Sequence, residues 1–257
     1  MAARSGFGGA LETIIGVRGI KISKYLRLRA KMIAGHEPFT SLNMLDRQLL
    51  QYLPQAGYFV EAGANDGVDQ SNTFYLEKKL GWGGLLIEPF EPLSRLSSRF
   101  RSAKVIAAAL GAPEDEGKQL QLTFSDLMTS SFYERSRTPR WGGILGPNPT
   151  SFSAPVRTLT SILDEVSAPQ VTLLSLDVEG LELQVLRGLD LGRHRPTFIL
   201  VETAHPDAVQ AALGQSYTLE HQLSHHDYLF RDMQDHGLPD EGVRRASRPS
   251  ENQSIFP

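Results

Sequence analysis

The sequence predicts an α/β fold, with a mainly parallel sheet covered by helices on both faces. Strand-like and helix-like segments alternate from Tyr58 to Leu213, and the strands are short, continuous apolar runs rather than half-polar alternations. The length of 257 residues suits one such domain with an appended segment. A chain of this size hides roughly three quarters of its unfolded surface, so its core needs no covalent staples.

Residues 1–35 carry seven basic side chains (Arg4, Arg18, Lys21, Lys24, Arg27, Arg29, Lys31) against one acid, Glu12. Ile14, Ile15, Val17, Ile20, Ile22, Tyr25, Leu26 and Leu28 lie among them, the pattern of an amphipathic helix. It is expected to pack on the main domain with its basic face in water; contact with an anionic membrane surface or polymer is the lesser alternative. A second helix is expected from Asn43 to Leu53, stopped by Pro54. Tyr58–Ala62 reads as a buried strand, Ser71–Leu80 as a helix ended by Gly81, and Gly84–Ile87 as a second strand. Pro92–Phe100 is a helix, Lys104–Leu110 a third strand, and Leu120–Phe124 an additional one. Ser125 to Pro155, rich in Ser, Pro, Gly and Thr, is expected to be irregular. A short helix near Thr160–Val166, a strand Val171–Leu176, a helix Leu181–Leu189, a strand Thr197–Val201 and a helix Pro206–Leu213 follow. Tyr217–Leu219 and Tyr228–Arg231 suit an antiparallel pair. The tail is polar and expected to be disordered.

Composition removes several function classes. A net charge of −3 and a pI near 6.2 argue against a general nucleic-acid binder. With no cysteine there are no disulfides, Cys-ligated metals or thiol nucleophiles, which fits a cytoplasmic setting. No run of 18 apolar residues suggests a transmembrane helix, and the opening residues do not read as a signal peptide.

In open parallel sheets ligands bind beyond the carboxyl ends of the strands. The first strand runs into Glu61-Ala62-Gly63-Ala64-Asn65-Asp66-Gly67, a glycine-bearing turn that lets backbone approach a ligand, with an acid suited to an ammonium group. The spacing is neither that of dinucleotide enzymes nor that of a phosphate loop. The second strand ends in Glu88-Pro89, and an acid there can accept hydrogen bonds from two ribose hydroxyls while repelling a 2′-phosphate. The fourth strand delivers Asp177-Val178-Glu179-Gly180-Leu181-Glu182 and the fifth ends in Glu202-Thr203-Ala204-His205. Asp177, Glu202 and His205 are candidates for a general base or a substrate-hydroxyl acceptor. Oxygen-rich acids also suit magnesium or calcium, but no metal ligand is assigned.

At these residues the sequence resembles the FkbM family of S-adenosylmethionine-dependent methyltransferases. The stretches Phe59 to Gly67, Leu86 to Pro89, Leu176 to Glu182 and Val201-Glu202 come in family order, supported by Gln70-Ser71-Asn72-Thr73 and Gly81 to Leu85. Ala62 and Leu181 depart mildly from the family pattern, and residues 1–44 fall outside it. The resemblance implies a Rossmann-like class I methyltransferase sheet of seven mostly parallel strands with an antiparallel last strand, over residues 45–232. It leaves 1–44 as a basic helical segment and 233–257 as a tail. It also implies S-adenosylmethionine as cofactor, with Glu61 and Gly63 near its methionine part and Glu88 on the ribose, and Ala64, Asn65, Gly67, Pro89 and Ala108 beside them. Ser130 is expected near the cofactor from the loop Ser125–Pro155. Ala107 or Ala108 would lie near the adenine. The family methylates oxygen on sugars and polyketides, so the expected partner is a small-molecule or glycan acceptor. The loop Ser125–Pro155, with Ser130, Tyr133, Arg135, Arg137 and Trp141, is read as a substrate lid. A nicotinamide-dependent oxidoreductase and a catalytically silent cofactor-binding module are the competing readings.

Overall fold

A computed structural model describes residues 5–125, 128–131 and 150–234. Helix α1 (Ser5–Ile33) precedes a short 3-10 turn and α2 (Leu45–Leu49). Then come β1 (Tyr58–Ala62), α3 (Phe74–Leu80), β2 (Gly83–Ile87), α4 (Glu91–Phe100), β3 (Lys104–Ile106) and β4 (Ala109–Leu110). The strands β5 (Gln119–Ser125), β6 (Met128–Ser131) and β7 (Thr150–Arg157) are followed by α5 (Leu159–Glu165) and β8 (Leu173–Leu176). The described chain closes with α6 (Glu182–Arg187), β9 (Phe198–Glu202), α7 (Pro206–Leu213), β10 (Tyr217–Gln222) and β11 (Asp227–Asp232).

Seven strands form the main sheet in the order β10-β11-β9-β8-β1-β2-β3. The pairs from β3 to β9 are parallel, and β11 runs antiparallel to both of its neighbours. Because side chains alternate across a strand, each apolar run feeds two cores. Val60, Ala62, Leu85, Ile87, Leu174, Leu176, Ile199 and Val201 pack with Leu159 and Ile162 of α5, Val185 of α6 and Val209 of α7. Their neighbours Phe59, Leu86, Leu173, Phe198 and Leu200 face the opposite way and pack with Leu45 and Leu49 of α2 and Leu76 of α3. Helices therefore cover both faces.

Local chemistry sets the element ends. Thr158 caps α5 by accepting the Ser161 N–H at 3.2 Å, and Gly81 ends α3 at φ 70°. The helix predicted from Ser71 begins only at Phe74, because Ser71, Asn72 and Thr73 are occupied with the Glu61 carboxylate. The helix predicted over Asn43–Leu53 shrinks to α2, since Asn43 and Met44 take left-handed backbone at φ 53° and 57°.

Two expectations are corrected more deeply. Lys104–Leu110 is not one strand: β3 stays in the main sheet, while β4 pairs with β7 in a second, four-stranded sheet of order β4-β7-β5-β6. The stretch expected to be irregular forms β6 at one end and β7 at the other, both paired to β5. Residues 132–149, including Tyr133, Arg135, Arg137 and Trp141, lie outside the described residues, as does the tail from 235. Helix α1 packs on the domain through Ile22, Tyr25, Leu28 and Met32. Its basic residues are not all in water, however, for Lys21 is 1% exposed. Among the described residues no helix is long and apolar enough to cross a membrane.

Candidate active site

One wall of a cleft lined by residues that end or follow β1, β2 and β8 is the turn after β1. There the N–H groups of Gly63 and Ala64 both donate to the Ile87 carbonyl, at 3.0 and 3.1 Å. That tie folds the turn against the end of β2. Gly63 sits at φ 82°, and a Cβ there would lie 1.8 Å from the Asp177 carbonyl oxygen. The glycine is therefore demanded by the close approach of the chain leaving β1 to the main chain of Asp177 after β8 as much as by any ligand.

Glu88 is 3% exposed and lines the cleft. Its Oε2 accepts the Asn65 N–H and its Oε1 the Phe90 N–H, both at 2.9 Å. Burial pushes its pKa up to about 7, against the pull of those N–H groups. A carboxylate offers about four acceptor positions, so roughly two remain for a ligand. Glu61 lines the same cleft but is more fully engaged: Oε1 accepts the Asn72 N–H at 2.7 Å, and Oε2 accepts the hydroxyls of Ser71 at 2.8 Å and Thr73 at 2.6 Å. Arg101 stands 3.7 Å away and also holds the Gly67 carbonyl, at 2.7 Å.

Asp177 is partly exposed in the cleft, its N–H held by the Ala62 carbonyl at 3.1 Å. Its carboxyl is raised well above the ordinary range by desolvation, then by the charges of Glu202, Glu179, Asp227 and Glu182. Glu202 lies opposite Asp227 across β9 and β11 and acts on Asp177 by charge, without lining the cleft. His205 is exposed at the start of α7, its N–H given to the Thr203 hydroxyl at 3.0 Å, and it too is off the lining. Gly67 packs against Arg101, Ser97 and Leu86, away from the cleft.

The structure thus brings together Glu61, Gly63, Ala64, Asn65, Glu88, Pro89, Ala108 and Asp177. Ser130 lies in β6, its backbone opposite Thr123. The sequence reading missed Asp69, Gln70 and Ser71 on one wall and Leu120 and Leu122 of β5 on another. The first three directly follow the glycine turn, and the two leucines are the apolar members of an alternating run, so both signals were present. Among the described residues no cluster of His, Asp and Glu is arranged to hold a metal ion.

A parallel sheet with a glycine turn after its first strand, a buried acid ending the second and a cleft above both is the α/β arrangement in which ligands generally bind at the carboxyl edge. Residues 61–237 match the family model described as the Methyltransferase FkbM domain, and the chain belongs to the FkbM methyltransferase family. It is 29% identical over 154 residues to Methyltransferase 1 of Beauveria bassiana (strain ARSEF 2860), a match covering 53% of this chain and 60% of that protein. The chain therefore spans less than two thirds of that relative. Among solved structures it is similar to Methyltransferase FkbM from Methylobacillus flagellatus KT (15% identity, TM-score 0.44, 69% of this chain and 44% of that one). TrmN from Thermus thermophilus is 12% identical with a TM-score of 0.41, over 74% of this chain and 49% of its own.

Proposed function

We propose that this chain is an S-adenosylmethionine-dependent methyltransferase acting on a hydroxyl oxygen of a sugar, glycan or natural-product acceptor. The observation that carries the reading is Glu88: a buried carboxyl at the end of β2, beside the glycine turn, with acceptor positions left over. Two vicinal hydroxyls of a ribose fit that acceptor set, and a phosphate does not. The small side chains of Ala108 and Ala109, with Leu110, Leu120 and Leu122, give the cleft an apolar lining that suits an adenine ring. Glu61 has one acceptor position left at most, so its main contribution is to fix the Ser71–Thr73 turn, with any ammonium contact secondary.

When bound, the cofactor supplies an electrophilic methyl carbon. The protein's task is to align an acceptor oxygen, take up its proton and exclude water. Asp177 is suited to the second task, because its ionised carboxylate, destabilised by burial and by neighbouring acids, takes up a hydroxyl proton more readily than an ordinary one. Glu202 supports it by charge, and Leu120 and Leu122 help dry the cleft. A choice of oxygen over nitrogen rests on this pairing of an acid base with a neutral acceptor.

Isothermal titration with S-adenosylhomocysteine and NADH tests the reading. Binding of the first and not the second is expected; the reverse would turn the protein into an oxidoreductase. Incubation with S-adenosylmethionine and a panel of hydroxylated acceptors, read as a 14-dalton gain by mass spectrometry, then tests turnover. Cofactor binding with no product on any acceptor would favour a silent binding module.

A further inference from the structure

Helix α1 stands outside the family-matched residues 61–237, yet it buries a lysine against the glycine turn. Lys21 is 1% exposed, and its ammonium lies 3.1 Å from Asn65 Oδ1, 3.2 Å from Asp69 Oδ2 and 3.3 Å from Asp66 Oδ2. Two of its protons are given to Asn65 and Asp69, and Asp66 adds an ion pair, all within one five-residue stretch of loop. We propose that Lys21 is a positioning residue of the cofactor cleft, so that α1 is a working part of the site and not only a packed appendage. The proposal rests on the cofactor reading given above.

The chain of contacts is short. Asn65 and Asp69 line the cleft, and Asn65 hands its N–H to Glu88. Asn65 holds left-handed backbone at φ 51°, a conformation costly for a side-chain-bearing residue, and its Oδ1 is shared between Lys21 and the Asp66 N–H. Asp66 Oδ1 in turn accepts the N–H groups of Val68 and Asp69, at 3.0 and 2.8 Å. The loop is thus wound around two side chains, Asn65 and Asp66, whose outer faces are closed by one cation. Burial works to raise the Asp69 carboxyl, but Lys24 and Lys21 outweigh it and hold it below its ordinary value.

Simple docking of the helix does not need this lysine. Tyr25 stacks on Phe100 with ring centroids 4.1 Å apart, and Ile22, Leu28 and Met32 pack on the cluster holding Phe90 and Phe100. A desolvated ion pair is an expensive way to add adhesion to such a surface, since apolar side chains of similar size do as well or better. What an ammonium does supply is a fixed geometry for two acceptors that line the cleft, Asn65 and Asp69, with Asp66 held beside them.

The test uses the full chain and S-adenosylhomocysteine. Wild-type binding is measured first; its absence would sink the cofactor reading and leave nothing for Lys21 to position. Given binding, Lys21→Met is expected to raise the Kd at least tenfold at a temperature where circular dichroism shows it folded. Lys21→Arg should recover part of that loss. Lys24→Met, which removes a half-exposed partner of the same Asp69, should stay within twofold of wild type. A folded Lys21→Met protein that binds within twofold of wild type overturns the proposal. Hydrogen exchange on the wild-type chain decides the matter if that variant does not fold. Coupling between two sites is reciprocal, so the ligand must slow exchange in residues 18–28 of α1 as well as in 63–69. Slowing in the loop alone would make α1 a passive cover.

Discussion

The Asn65 N–H donates to Glu88 Oε2 at 2.9 Å, so the left-handed turn after β1 and the acid ending β2 are locked to each other across the floor of the cleft. The same carboxyl accepts the Phe90 N–H from the first turn after β2. Glu88 is therefore both a keystone between two loops and the residue with acceptor capacity to spare.

Replacing Glu88 by Gln keeps the size and one acceptor oxygen but removes the charge. Hydrogen bonds to charged groups are worth about 1.5–3 kcal/mol, so affinity for S-adenosylhomocysteine should fall by roughly ten- to a hundredfold. Titration calorimetry checks this. An unchanged Kd would remove Glu88 from the ribose and return it to a purely structural role.

The pH dependence follows from the same side chain. Glu88 titrates near 7 in the free protein, against an ordinary value of 4.5. Hydroxyl donors favour the ionised form, so affinity should tighten as pH rises, by up to about tenfold per unit below 7, and level off above it. The effect on the fold has the opposite sign. A raised carboxyl contributes stability below its unfolded value and loses that contribution as pH climbs through about 7. The slope between pH 5.5 and 8.5 should flatten in Glu88→Gln; a wild-type affinity already flat over that range would count against the assignment.

Gly63 and Gly81 both hold positive φ, at 82° and 70°, but only one is crowded. A Cβ on Gly81 meets open space, so Gly81→Ala should cost only the left-handed strain, about 1–2 kcal/mol. Gly63→Ala adds a collision with the Asp177 main chain and should cost roughly 3 kcal/mol or more, read as a lower urea midpoint. Equal losses would show that the close approach between the turn after β1 and Asp177 yields easily.

The central strands β1, β2, β8 and β9 were legible because they are short, mostly apolar runs ended or followed by glycine or acid, signals that are local. Glu61, Glu88 and Asp177 could be read for the same reason: each directly follows or ends such a run. What escaped depends on contacts distant in sequence. β7 contains Pro155 and many hydroxyl residues and becomes a strand only by pairing with Gln119 to Phe124 of β5. Ala107 and Ala108 give no local hint that the chain leaves one sheet for another between β3 and β4. Lys21 was expected on a basic face in water and Arg101 carried no expectation, yet each is buried by acceptors, drawn from 44 to 48 residues away for Lys21's hydrogen bonds and from 24 to 34 for those of the Arg101 side chain.

Asp177 offers the sharpest separation of function from stability. Its carboxyl is raised first by desolvation and then by four neighbouring acids, so each fraction of ionised Asp177 at neutral pH strains the fold. By the linkage sign, the stability it contributes is full below its ordinary value of 3.8 and is lost as pH passes its folded-state value. Asp177→Asn removes the charge while keeping the shape, and so should melt at a higher temperature than wild type at pH 8, with little difference at pH 4. Turnover should fall by about 10²–10⁴-fold if the carboxylate takes the acceptor's proton, with cofactor affinity within a few fold of wild type. Such a pairing, a more stable protein that no longer turns over, is the mark of a residue kept for chemistry at the expense of the fold. Loss of cofactor affinity in step with turnover would instead make Asp177 a binding residue, and a lower melting temperature would make it a structural one.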